Sequence, residues 1–258
     1  MTALPERPTT SDAEASGSRA PGAASGTPTA PVLSARPAPA LPPYPAWWSA
    51  RIVLPAVTLA TLATLLVDRP AHRVLVWPAA AGYGWDGALR ALGYLPTWLA
   101  VGAAFVLVDR PARRSWARGS FLVGAALSAG LLAEIAKLLV RRARPGEVGG
   151  DVLHFVPFSE DLLHSGRFGM PSSHASVAFG AAFALSVLWP RAGPLFFLLA
   201  AGCGLTRILA GAHFASDVLA AVAVGYLGAR IAAAVVERAQ RGSRGASSRS
   251  GPDGGEVR

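Results

Sequence analysis

Six apolar stretches divide this chain and leave it few folds to adopt. They are Ile52–Val67, Ala91–Val108, Ser120–Val140, Ala175–Pro190, Ala192–Thr206 and Val218–Val236. A helix crosses a bilayer core with about 20 mostly apolar residues, within a range of about 17–25. In hydrocarbon every backbone polar group must be satisfied within the structure, so repeated spans of this kind fold as a helix bundle. Composition points the same way, with 52% hydrophobic and 15% charged residues, too apolar for an ordinary soluble domain. The expected fold is all-α: an integral-membrane bundle of six transmembrane helices. Ile52–Val67 is slightly short, but Trp47 and Trp48 before it suit an interfacial aromatic belt. Val74–Trp85 holds Pro78, Gly82 and Gly84 and reads as an interfacial or re-entrant piece.

The spans fall in one domain, 46–236. Residues 1–45 are rich in Pro, Ala, Ser and Thr without an apolar run, and are expected to be a disordered tail, not a signal peptide. Residues 237–258, rich in Gly, Ser and Arg, are expected to be a second, basic disordered tail. Cys203 is the single cysteine, which excludes a disulfide framework and a thiolate zinc site. The net charge of +9 suits positive-inside bias better than nucleic-acid binding. With six spans both termini share the cytoplasmic side, together with Arg110, Arg113, Arg114 and Arg118. The 141–170 loop then lies outside, yet it carries Arg141, Arg142, Arg144 and Arg167, a break in the bias that calls for a reason.

Lys137 is the only lysine; the other basic residues are all arginine. Cations at membrane depth are costly and mark candidate functional sites. Alternating spans bring Lys137, Arg144, Pro171-Ser172-Ser173-His174, Thr206-Arg207, His213 and Asp217 to similar depth at the outer edge. His213 and Asp217 are spaced i, i+4, one turn apart on a helix, where a carboxylate fixes the imidazole tautomer and frees the other nitrogen to attack. Ser172-Ser173-His174 opens a helix, whose free N–H groups suit an oxyanion. Arg144 and Arg207 offer planar forks, and Lys137 a point charge, for phosphate oxygens. Each feature has a plainer reading when taken singly. Lys137 can snorkel or pair with Glu134, Ser172 and Ser173 can cap, and His213 with Asp217 can glue helices. Glu134 reads as a local charge partner, and His154 and His164 as loop residues. The joint placement favours a site for a tetrahedral, multiply charged anion beside a nucleophile.

Lys137-x6-Arg144-Pro145, Pro171-Ser172-Ser173-His174 and Thr206-Arg207-x5-His213-x3-Asp217 resemble the three-part signature of the type 2 phosphatidic acid phosphatase and vanadium haloperoxidase superfamily. That pattern reads K-x6-R-P, P-S-G-H and S-R-x5-H-x3-D. The resemblance spans roughly Ser120 to Val236, and the six-helix layout matches the membrane phosphatase branch. Ser173 stands where the family usually has Gly, and Thr206 where it usually has Ser. The resemblance implies that His213 attacks phosphorus to form a phosphohistidine and that Asp217 orients it. His174 would protonate the leaving group and then activate water. Lys137, Arg144, Arg207, Ser172 and the Ser173 N–H would bind the phosphate oxygens. It implies no metal and no cofactor.

The substrate expected from this reading is a phosphorylated membrane lipid whose chain stays in the bilayer. Prenyl diphosphate, phosphatidylglycerol phosphate and phosphatidate lead, with lipid A phosphate also open. Val152, Leu153, Phe155, Val156 and Phe158 are expected to cover the head group or rest on the interface. The expected location is the plasma (inner) membrane with the site facing outward. No nucleic-acid partner is expected, and the sequence sets no oligomeric state. A phosphotransferase on the same site and a non-catalytic transporter or lipid-binding protein stay open. A haloperoxidase conflicts with the apolar spans, because the family's peroxidases are soluble.

Overall fold

The computed structural model describes residues 41–108, 112–147, 153–160 and 164–249. Most of the N-terminal tail (residues 1–40), Arg110 and Val152 fall outside these. The described residues form eight α-helices joined by short 3-10 turns, with only isolated bridges and no strand. They are α1 (Ala50–Leu65), α2 (Asp68–Leu75), α3 (Gly84–Ala91), α4 (Leu95–Val108), α5 (Ala112–Val140), α6 (Ser173–Leu188), α7 (Gly193–Leu209) and α8 (Ala215–Arg249). The six apolar stretches correspond to α1, α4, α5, α6, α7 and α8. The piece expected to be interfacial or re-entrant is the end of α2, a 3-10 turn over Pro78–Gly82 and the start of α3.

The protein is an all-helical membrane protein by length and composition. Among the described residues Trp116–Val140, Pro190–Leu209 and Ala215–Gly242 are long and apolar enough to cross a bilayer, and two bent pairs, α1 with α2 (73°) and α3 with α4 (64°), bring the number to five where each pair counts as one span. Helix α6 has 16 residues and is about 24 Å long at 1.5 Å per residue, short of the roughly 30 Å hydrocarbon core.

Helix α6 is the centre of the bundle, with every residue from Ala175 to Val187 buried. It packs against α5 and α8, and the three meet through small residues. A Cβ on Gly180 would lie 2.8 Å from Ala125 O, and one on Gly228 would lie 2.5 Å from Ala129 N. In lipid no hydrophobic drive pulls helices together, so close backbone approach at small residues supplies the contact. The outer helices turn bulky side chains outward, including Leu66 at 85% and Leu107 at 83% exposure.

Three expectations are corrected. Trp48 is buried, not in a surface belt; it stacks on Tyr44 and meets Tyr226, whose hydroxyl donates to Trp48 O at 2.9 Å. The chain past Val236 continues α8 to Arg249, where a disordered tail was expected. Glu237, Arg238, Ala239, Gln240 and Arg241 are strong helix formers, and Glu237 pairs with Arg241 at i, i+4 (3.8 Å). Third, α8 begins at Ala215, so His213 and Asp217 do not share one helical face.

Candidate active site

The three sequence segments that carry the expected chemistry are each a helix end. Lys137 lies in the last turn of α5. Arg141 then takes a positive φ of 57° and turns the chain. This turn is held from below. The Arg141 side chain is buried, donates to Val156 O (3.0 Å), Pro157 O (2.9 Å) and Glu160 O, and lies over the rings of Phe158 and Phe168. Isolated bridges from Arg142 to Phe155 and from Ala143 to Phe168 continue the crossing, and Arg144 Nε reaches Phe168 O at 3.4 Å. Ser172 is the N-cap of α6, and Ser173 and His174 form its first turn. Arg207 sits in the last turn of α7, and Gly211, at φ +68°, makes the sharp return to His213.

These ends enclose a cavity of about 270 Å³ lined by Glu134, Lys137, Arg144, Ser165, Gly166, Ser173, His174, Arg207 and His213. Six of the eight residues expected at the site therefore face one space. Ser172 and Asp217 do not line it; both are fully buried just behind, where the Ser172 N–H donates to Asp217 O at 3.1 Å. Among the described residues at this site Ser172 Oγ and Arg207 Nε are buried without a hydrogen-bond partner, and His213 Nδ1 has only the longer approach to Asp217. Buried polar atoms left unpaired are rare in native proteins and call for an explanation such as a ligand. No three His, Cys, Asp or Glu side chains among the described residues gather as a metal-ligand set.

Asp217 acts as a cap as well as a neighbour of the imidazole. It is in the first turn of α8, and its Oδ2 accepts the Phe214 N–H at 2.9 Å, closing the helix start. A carboxylate there also complements the helix dipole. The same oxygen lies 3.5 Å from His213 Nδ1, longer than a good N–H···O bond. The contact is loose with a neutral ring and would tighten as the ring gains charge. Burial pushes the pKa of His213 below its ordinary value, against the opposing pull of Asp217, while Arg144 and Arg207 push it down further. A neutral ring is the form that can attack an electrophile.

Other residues at and behind the cavity carry no mark in the sequence, Ser165 and Gly166 of its lining among them. Glu134 was expected to be only a partner for Lys137, and that pair forms at 3.0 Å; the carboxylate also lines the cavity and accepts a hydrogen bond from Ser173 Oγ. The hydroxyl that replaces the family's glycine is thus engaged by Glu134. Gly93 and Tyr94, between α3 and α4, cover His174. A Cβ on Gly93 would lie 2.7 Å from His174 Cβ, and the Tyr94 ring meets the His174 ring edge-on at 4.9 Å. Arg142 and Asp68, both buried, stand behind Asp217. The segment 153–160 leaves Leu153, Phe155 and Phe158 exposed, whereas Val156 turns inward and is buried.

The same residues match known proteins. Residues 118–241 fit the model of the PAP2 superfamily. Residues 118–241 are a PAP2-superfamily segment. All eight expected site residues fall inside the PAP2 segment, whereas Asp68, Gly93 and Tyr94 lie before it. Two lipid A 1-phosphatases, from Rhizobium johnstonii and Rhizobium etli, are each 40% identical over 114 residues, 43% of this chain. The match covers 44% and 47% of their lengths, so the chain spans under half of the curated relatives it matches. No solved structure matches the chain.

Proposed function

We propose that this PAP2 protein is a membrane lipid phosphatase that hydrolyses a phosphomonoester or diphosphate head group through a phosphohistidine. The observation that carries the reading is the cavity itself, where two imidazoles and three cations from separate helix ends face one another. Phosphoryl transfer needs little covalent help from the protein and relies on positioning and charge stabilisation. Lys137, Arg144 and Arg207 would hold the equatorial oxygens with the Ser173 N–H at the start of α6, and the unpartnered Ser172 hydroxyl behind the lining would turn to them when phosphate enters. His213 would attack in line with the leaving oxygen while Asp217 stabilises the imidazolium. His174, across the cavity, would give a proton to the leaving group and then take one from water.

The substrates that fit are lipids carrying a phosphate at the bilayer surface. Phosphatidate, phosphatidylglycerol phosphate and prenyl diphosphate all meet that description. The names of the two Rhizobium relatives add a glycolipid 1-phosphate to the first rank. In this reading α1 with α2, α3 with α4, α5, α7 and α8 cross the plasma membrane, the short α6 is a sixth crossing sheltered at the bundle centre, both termini are cytoplasmic and the cavity opens outward. The arginines of the 141–170 loop are then explained by the anion and by the loop they brace.

The test is phosphate release by detergent-purified protein from a panel of these lipids, with EDTA present and His213→Ala alongside. Release insensitive to EDTA and absent in the variant is expected. Transfer of label to an acceptor lipid with little free phosphate would replace hydrolysis by phosphotransfer. Full activity in His213→Ala would overturn the mechanism. Tags in the 141–170 loop should be reachable from outside, and labelling only from the cytoplasm would reverse the topology.

A further inference from the structure

A buried charge network lies behind the imidazole, and part of it comes from outside the matched segment. Arg142 Nη1 donates to Asp217 Oδ1 at 2.8 Å and to Ser216 Oγ at 2.6 Å, while Nη2 donates to Asp68 Oδ2 at 2.8 Å. Asp68 also accepts the Ser216 N–H at 3.0 Å and the Ser216 hydroxyl. The Arg142 side chain is 1% exposed and both carboxylates are 0% exposed. The guanidinium plane lies 4.4 Å over the Phe214 ring, next to His213 in sequence.

The geometry assigns Asp68 and Arg142 as positioning residues for the nucleophilic imidazole of His213, acting through Asp217. This rests on the phosphatase reading above. Three observations carry it. First, the planar fork of Arg142 fixes the Asp217 carboxylate through Oδ1, which leaves Oδ2 for the Phe214 N–H and the ring. Second, Asp68 holds the other arm of the fork and binds the first turn of α8, so the rotation of Asp217 is tied to α2. Third, one guanidinium faces two carboxylates. Asp217, one of the two, lies beside a ring that becomes positive when it bonds to phosphorus. Buried ion pairs often add little stability against apolar substitutes. A network of this kind at a reacting group has a use in orientation that stability does not supply.

The experiment compares Asp68→Asn, Arg142→Gln and Arg142→Lys with wild type, each also in an Asp217→Asn background, using full-length protein in detergent. A positioning role predicts that Asp68→Asn lowers kcat about 10- to 100-fold, the loss expected from a displacement of about 1 Å, with KM within about threefold because the phosphate cradle is untouched. Arg142→Lys should recover part of what Arg142→Gln loses. Within the Asp217→Asn background Asp68→Asn should cost less than about threefold, because its route to His213 is already cut. An equal loss in both backgrounds, a raised KM with unchanged kcat, or no loss at all would overturn the assignment. If wild-type protein hydrolyses no lipid, the phosphatase reading fails separately. The assignment is then read from the affinity for orthovanadate, which takes a fifth ligand as phosphorus does in transfer. About tenfold weaker vanadate binding in Asp68→Asn supports it, and unchanged binding refutes it.

Discussion

Replacing Gly93 with alanine tests whether the helix corner before the PAP2 segment sets the position of His174. The added Cβ would lie 2.7 Å from His174 Cβ, 2.9 Å from its Cα and 3.0 Å from Cδ2. Carbon atoms prefer about 3.5–4.0 Å, so the contacts are short by about 0.5–1.3 Å. One of the three is backbone, and the corner and the start of α6 must move apart. Overpacking of this size costs about 1–3 kcal/mol. A displacement near 1 Å at a catalytic group costs up to about 100-fold in rate. If His174 protonates the leaving alkoxide, the loss depends on the leaving group. In kcat/KM, which includes steps only through phosphohistidine formation, an alkyl phosphate lipid should lose about 10- to 100-fold. An aryl phosphate whose phenolate leaves without help should lose less than about fivefold. The assay is phosphate or phenol release by wild type and Gly93→Ala, with thermal unfolding alongside. An equal loss on both substrates would refute His174 as the acid, and no loss on either would refute the packing argument.

Three further outcomes follow from the site. Ser173→Ala removes a hydrogen bond to the Glu134 carboxylate and should lower stability by about 1–2 kcal/mol in denaturant titration, while changing turnover less than about tenfold. Because burial lowers the pKa of His213, its ring should be neutral above its ordinary value of 6.5, and the acid limb of kcat/KM should lie below that pH. The linked stability has the matching sign: the unfolded ring takes a proton that the buried ring resists, so stability falls as pH drops below about 6.5. A His213→Gln variant should flatten that part of the stability profile. Phe155→Ser with Phe158→Ser removes exposed apolar surface from the segment 153–160 and should raise KM for long-chain lipid phosphates but not for a short-chain soluble analogue.

Much of the scaffold could be read from the chain, because apolar runs and helix ends are local signals. The six stretches locate six of the helices, and Pro171-Ser172-Ser173 marks the start of α6. Six of the eight residues singled out by spacing also line one cavity, since they sit around those helix ends. What the chain hid is long-range. Asp68 meets Ser216 across 148 residues, and Arg142 reaches Asp217 across 75; no periodicity records such a pairing. Arg142 read as one more loop arginine because its burial is a property of the folded crossing. Gly93 carries no sign that His174 will lie against it. The i, i+4 spacing of His213 and Asp217 suggested a shared helical face, but the same spacing serves a capping arrangement in which the carboxylate turns back to the Phe214 N–H. The extension of α8 to Arg249 was masked by scattered Gly and Ser that Arg, Ala and Gln outweigh.

The central claim is that His213 carries the phosphoryl group. The most direct measurement is rapid quench of the purified protein with a ³²P-labelled lipid phosphate, followed by mapping of base-stable, acid-labile label. The account predicts label on the peptide containing His213, its absence in His213→Ala, and its accumulation when His174 is replaced by glutamine and water attack is slowed. Label that persists in His213→Ala, or that maps to another residue, would contradict it.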